Sequence, residues 1–481
     1  MSKTIPTSNG WPRAIVRAAH LHRLRGPVLE AALPDVRIGE RCVIRAGAGR
    51  RDIVGHAQVI GFSDHGAVLA LSGAAHGLSR AVVLEPTGRS MQIAVSDALL
   101  GTVVDATGHV LANIVGGSAG DVSEGTYGAG MHDEKAKGEA TDEEGADREE
   151  ADEAGIRRRT RAPRHAVIEW REIDVSRVTP KQPVSEPFET GVRVIDGVLR
   201  VGVGQRVAVL AGAGVGKTSL LHMIASAPTT DVVVMALVGE RGREVSEAIE
   251  RWRASARADR IVIVSATSDA PPVERAAAAA AAMTIAEYFR DRGRHVVLIV
   301  DSLTRYARAL REIALSAGEL PARHGYPPSV FERLPRLLER AGRVGSGAIT
   351  AFFSVLVEDE ETLDPIAHEV VSILDGHFVL SRRLAGEGHF PAVDIARSVS
   401  RVAAHVAEPD DLARAAAVRR VLARAEELAV LVDMGEYRAG ASPDDDRALL
   451  AARRLREGLS QTENESSSID DARKVIDAAF H

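Results

Sequence analysis

From Ala14 to about Leu111, short apolar runs such as RCVIRA, AQVIGFS, GAVLALS, AVVLEP and GTVVDATG are split by Gly, Asp and Ser turns at close spacing. Runs of that length and spacing predict short strands forming a small β-barrel or sandwich. The rhythm changes after residue 184. There RVAVLAG, DVVVMALVGE, RIVIVSAT, HVVLIVDS and AITAFFSVLVE are nearly continuous apolar segments separated by helical stretches. Strands alternating with helices predict a parallel sheet covered by helices. Beyond Pro409, Ala, Leu, Arg and Glu recur at helical spacing through DDLARAAAVRRVLARAEELAVLVDMG and DDDRALLAARRLREGLS, which predicts a small helical domain. The Ala276 to Ala282 run favours helix and is read as packing. No repeat of fixed period interrupts this order.

Charge adds a fourth region. The chain of 481 residues has 60 Lys and Arg against 67 Asp and Glu, and the stretch from Asp133 to Glu153 alone holds 11 acids and 3 bases. Around it the text is rich in Gly, Ala and acids and low in apolar residues, so it cannot bury enough surface to offset ordering entropy. Residues 116–164 are therefore expected to be a disordered acidic insert, ending in the basic cluster Arg157, Arg158, Arg159, Arg161 and Arg164. The expected division is 1–115 as barrel, 116–164 as insert, 165–408 as α/β core and 409–481 as helical domain. Composition, 45% hydrophobic and 26% charged, is that of an ordinary globular protein. The single cysteine, Cys42, excludes an intramolecular disulfide and argues against a Cys-based metal site. No apolar stretch approaches the roughly 20 residues of a membrane helix, and the N-terminus lacks a signal-like apolar core, so a cytoplasmic protein is expected.

Chemistry enters after the first α/β strand, where the chain reads Ala211-Gly212-Ala213-Gly214-Val215-Gly216-Lys217-Thr218-Ser219. This is a P-loop with Ala in place of its first Gly. Its glycines let backbone N–H groups wrap phosphate oxygens at a helix start. Lys217 would reach the β- and γ-phosphates and the Thr218 hydroxyl would bind Mg²⁺. HVVLIVD ends in Asp301 and VVVMALVGE in Glu240, followed by Arg241. Strand C-termini line the ligand crevice of a parallel sheet, so Asp301 suits the Mg²⁺ shell, directly or through water, and Glu240 suits the attacking water. Either acid alone could merely cap a helix; both beside a P-loop point to nucleotide hydrolysis.

The segments ALVGERGREV (236–245), VDSLTRYARALREIAL (300–315), GELPARHGYPPSVFERLPRLLERAG (318–342) and VVSILDGHFVLSRRLAGEGHFPAVDIARSVSRV (370–402) resemble the export ATPases of type III secretion systems. PAVDIARSVS also matches the signature shared by the rotary ATPase α and β subunits. The resemblance implies a RecA-like P-loop core between an N-terminal β-barrel and a C-terminal helical domain. It also implies a cytosolic ATPase that assembles as a homohexamer at the inner-membrane face of the secretion apparatus, meets stalk and stator-like proteins, strips chaperones from substrates and helps unfold them. By the same resemblance Lys217 and Thr218 are the phosphate and Mg²⁺ residues, Glu240 the catalytic carboxylate, Arg241 the adjoining active-site arginine and Asp301 the Walker B acid. Phe390 falls where an aromatic stacks on adenine, and Arg401 matches the arginine finger offered to a neighbouring subunit. The family joins barrel and core by a short segment, and here the acidic insert intervenes.

HEVVSILDGHFVLSR looks more like the injectisome branch than the flagellar one. A rotary ATP synthase catalytic subunit would share the P-loop and Glu240 but not the GERGREV and GYPPSVFERLP wording. A hexameric nucleic-acid translocase also joins a barrel to a P-loop core, yet this barrel carries no basic, aromatic-rich stripe for stacking bases. Lys217, Glu240 and Arg401 together argue against a non-hydrolysing scaffold.

Overall fold

The computed structural model describes residues 18–48, 52–73, 77–116, 168–173, 179–358 and 364–481. The expected insert and its basic cluster lie outside these residues, except for Gly116.

Among the described residues, six strands (Ala19–Arg25, Val28–Ala31, Glu40–Arg45, Ile53–Ser63, Gly66–Ser72 and Val83–Ser90) close into an antiparallel barrel. Alternation sets its inside and outside: along Glu40–Arg45 every second residue is buried, as the two-residue period of a strand requires. Leu29, Cys42, Ile44, Leu69, Leu71 and Leu84 fill the interior. Closure leaves no free sheet edge.

The sheet that follows runs Val393–Ser400, Gly376–Leu380, Arg206–Ala211, Gly347–Leu356, His295–Asp301, Val232–Glu240, Ile261–Thr267, Thr102–Val104 and Val110–Asn113, with Gly342–Val344 pairing beside Gly347–Leu356. Its central strands are parallel. They are rich in Val and Ile and buried on both faces, which explains their unbroken apolar text. Successive residues alternate between two cores. Ala208 and Leu210 join the face covered by helices Pro272–Arg290 and Leu303–Ser316, while Val207, Val209 and Ala211 join the face covered by Lys217–Ala225 and Gly242–Arg253. The Ala276 to Ala282 run lies in helix Pro272–Arg290 and is mostly buried, where small side chains let the helix sit close to the sheet.

One strand departs from expectation. GTVVDATG, read with the barrel, instead supplies Thr102–Val104, which pairs in parallel with Val262–Val264 and extends the α/β sheet. Its burial on both faces is the physical reason: Val103 and Val104 enter the two opposite cores of that sheet.

Helices Pro409–Asp433, Pro443–Leu459 and Ile469–Phe480 form the C-terminal region. Val418, Leu455, Leu459 and Ile476 are buried in the same core as the P-loop helix, so these helices are packed onto the α/β unit. No helix among the described residues is long and apolar enough to cross a membrane.

Candidate nucleotide site

Parallel register brings the candidate groups to one edge. Leu210 pairs with Val355, Val300 with Phe353, and Leu237 with Asp301, so Ala211, Asp301 and Glu240 all leave the sheet at its C-terminal side. Glu240 lies three residues beyond the partner of Asp301, about 10 Å further along at strand rise. That stagger leaves space between the two carboxylates above the sheet edge.

The loop turns back through Gly214 and Gly216, whose φ values of 75° and 87° belong to the left-handed region that other residues rarely adopt. Gly216 is the N-cap of helix Lys217–Ala225, so the unpaired N–H groups of that helix start face the loop. Ala213, Gly214 and Thr218 are exposed, Ser219 is half-buried and Val215 anchors the loop in the core. Two side chains overhang the loop. A Cβ at Gly216 would lie 3.3 Å from the Phe390 ring, and one at Gly212 would lie 3.0 Å from Arg382 Nε. Phe390 is 41% exposed, so its ring is open to a ligand rather than enclosed in the core.

Lys217 donates to Asp301 Oδ1 in a close ion pair, and Ser354 Oγ donates to the same oxygen at 2.6 Å. The Asp301 carboxylate is 8% exposed. Thr218 and Asp301 supply a hydroxyl and a carboxylate, a hard oxygen set that fits Mg²⁺ accompanying a nucleotide. Among the described residues no group of three or more His, Cys, Asp and Glu is placed to hold a metal ion.

Glu240 Oε2 pairs with Arg305 at 3.1 Å, and that guanidinium also donates to the Gly239 carbonyl. Glu240 Oε1 is buried without a donor, the kind of acceptor that a bound water or ligand satisfies. Burial, a proton shared with the Glu244 carboxyl and the charge of Asp301 push Glu240 up to about 8, against the opposing pull of Lys217 and Arg305. Glu244 is held below the usual carboxylate range by that same shared proton and by Arg241. Arg241 starts helix Gly242–Arg253 with its side chain 77% exposed and 3.8 Å from Glu244.

Arg401 stands elsewhere. Ser400 pairs with Gly376, and His377 with Ala208, so Arg401 sits at the N-terminal edge of the sheet, about 17 Å below its own P-loop in strand rise and two strands aside. It is exposed, with its guanidinium on the Val371 and Leu374 carbonyls at 3.2 and 3.1 Å. The fold therefore assembles Lys217, Thr218, Asp301, Glu240 and Phe390 in one subunit and leaves Arg401 out.

The ATP synthase alpha/beta family nucleotide-binding domain matches residues 191–400, and the T3SS EscN ATPase C-terminal domain matches residues 407–478. The SPI-1 type 3 secretion system ATPase of Salmonella typhi is 45% identical over 470 residues, 97% of this chain and 98% of that protein. The chain belongs to the type III secretion ATPase family. Members of this family hydrolyse ATP through this nucleotide-binding domain. A flagellum-specific ATP synthase of Pseudomonas aeruginosa is 38% identical over 469 residues, 96% of this chain and 93% of its own. The assembled ATPase EscN of enteropathogenic E. coli superimposes with a TM-score of 0.79 at 35% identity, covering 96% of this chain and 100% of EscN. EscN in complex with its central stalk EscO gives 0.76 at 34% identity, with the same coverage.

Several groups at this type III secretion ATPase site escaped the sequence reading. Arg305 was within reach of it, four residues past Asp301 in the first turn of helix Leu303–Ser316. Ser354 is an ordinary residue in an apolar strand, and only the neighbouring register brings it to Asp301. Arg382 over Gly212 and Glu463 beside the P-loop helix carry no local signature at all.

Proposed function

We propose that this chain hydrolyses ATP to ADP and phosphate at sites shared between neighbouring subunits of a homohexamer, and so powers type III protein export of injectisome type. The observation that carries this is the division of the machinery: a P-loop, Asp301 and Glu240 at one sheet edge and Arg401 at the other, out of reach of its own nucleotide. Such a geometry needs a neighbour to complete it. Greater identity to the SPI-1 protein than to the flagellar one supports the injectisome branch. The EscN–EscO complex supports a stalk partner; chaperone release, substrate unfolding and a cytoplasmic place at the inner membrane accord with the family.

Before nucleotide binds, Lys217 rests on Asp301. The γ-phosphate draws Lys217 away, and residues 212–219 wrap the phosphates while the Phe390 ring turns from Gly216 to stack on adenine. Mg²⁺, bound with ATP, neutralises phosphate charge, and Thr218 and the freed Asp301 would hold it. Glu240 Oε1 orients water in line with the γ-phosphorus and takes its proton as the new P–O bond forms and the bond to ADP breaks. Arg241 follows Glu240 directly as the adjoining arginine of the site, and Arg401 of the adjacent copy stabilises the charge developing on the transferred group.

The deciding experiment is ATP turnover per subunit over a wide range of protein concentration, with Arg401→Ala alongside. Turnover should rise steeply with concentration and collapse in the variant. Turnover per subunit that is constant with dilution and indifferent to Arg401 refutes shared sites.

A further inference from the structure

The segment between helices Pro443–Leu459 and Ile469–Phe480 crosses back over the nucleotide-binding unit. It is fastened there at several points. Gln461 N and Ser460 Oγ both donate to the Phe390 carbonyl, at 2.7 and 3.3 Å. The Gln461 side chain accepts from Arg193 N at 3.0 Å and donates to the Gly191 carbonyl at 2.7 Å. Arg193 in turn donates to the Gly458 and Ser460 carbonyls and pairs with Glu465. These contacts hold the segment on the core without help from Glu463.

Glu463 does something separate. Its Oε2 accepts from Ser219 Oγ at 2.8 Å, and its Oε1 lies 3.1 Å from Arg251 and 3.5 Å from His222 Nδ1. Ser219 and His222 belong to helix Lys217–Ala225, which begins at the phosphate-binding lysine. Arg251 belongs to helix Gly242–Arg253, which begins beside Glu240 and Arg241. One carboxylate from the C-terminal region thus spans the helix that carries Lys217 and the helix that follows the strand ending in Glu240. Burial and the Arg251 charge keep His222 below its ordinary value, so Arg251 is the cation of the cluster.

We infer that Glu463 is a positioning residue for hydrolysis, which fixes the P-loop helix and the helix that follows Glu240 relative to each other through Ser219 and Arg251. The inference rests on the proposed roles of Lys217 and Glu240. A displacement of about 1 Å at reacting groups is enough to cost as much as a hundredfold in rate, and a carboxylate that bridges both helices is placed to prevent one. Phe390 is held by Ser460 and Gln461 instead, so adenine stacking does not depend on this bridge.

The test is steady-state ATP turnover at saturating protein concentration for Glu463→Ala, Glu463→Gln, Arg251→Ala, the Glu463→Ala/Arg251→Ala pair and Lys217→Ala, with a melting curve for each. Glu463→Ala should lower kcat by about tenfold and move KM for ATP less than about twofold. Glu463→Gln keeps an acceptor for Ser219 and should recover part of kcat. The paired variant should be little worse than Glu463→Ala alone, because both changes open the same bridge. A kcat within about twofold of the parent in Glu463→Ala, or effects that simply add in the pair, overturns the inference, as does a lowered melting temperature with kcat intact. Lys217→Ala separates the two layers: if it retains turnover, the P-loop reading itself fails, whereas if it is inactive while Glu463→Ala is normal, only the positioning role falls.

Discussion

A base whose carboxyl sits near 8 before nucleotide binds makes an unusual rate profile. In free subunits Glu240 lies between burial, Glu244 and Asp301 on one side and Lys217 and Arg305 on the other, with the balance at about 8. Only the ionised form accepts a proton from water. At pH 7 about one molecule in ten carries it, at pH 8 about half and at pH 9 about nine in ten. Because kcat/KM reports the ionisation of the free enzyme, it should rise about tenfold from pH 7 to pH 9 and then level off. Two substitutions should move the curve in opposite directions. Glu244→Gln removes the shared proton and offers an amide donor to Glu240, which shifts the curve to lower pH and raises kcat/KM at pH 7. Arg305→Gln removes a cation that favours the ionised form, which shifts it to higher pH. The assay is ATP hydrolysis at low substrate over pH 6.5 to 9.5, at a protein concentration where turnover per subunit no longer rises. A profile that is flat across this range while Glu240→Gln is inactive would refute the assignment of the rising limb to Glu240.

Lys217→Ala should drop turnover by at least about a hundredfold, since the γ-phosphate loses its cation, and equilibrium binding of a fluorescent ATP analogue should weaken with it. Phe390→Ala should raise KM for ATP severalfold with kcat little changed, and Phe390→Tyr should restore it; an unchanged KM removes the stacking role. Gly216→Ala forces a left-handed position on a residue with a Cβ, at about 1–2 kcal/mol, and places that carbon against the Phe390 ring, so nucleotide affinity should fall in the same binding assay. Mixing Lys217→Ala with Arg401→Ala subunits should recover activity that neither has alone, because each supplies what the other lacks; no recovery in co-assembled rings argues that both groups act within one subunit.

Unbroken apolar strands separated by helical stretches made the core sheet legible, and glycine spacing made the loop legible, because both are local consequences of strand and helix geometry. Lys217, Thr218, Asp301 and Glu240 follow from that, as each sits at the end of a recognisable element. The barrel was legible as short strands, but the membership of Thr102–Val104 was not. A three-residue apolar strand reads alike in either setting, and it is the long-range pairing with Ile261–Thr267 that decides. Ser354 and Glu463 were illegible for a stronger reason. Ser354 reaches Asp301 through a neighbouring strand, and Glu463 reaches Ser219 across 244 positions of chain, so neither leaves a trace within any window of sequence. Arg401 is the instructive middle case. Its motif marks it as a candidate, yet only the register, which sets it at the edge opposite the P-loop, supports the proposal that a second copy of the chain completes the site. A group that a motif marks as a catalytic candidate and geometry places away from its own P-loop argues for a site completed between subunits, and that argument needs the sequence and the fold together.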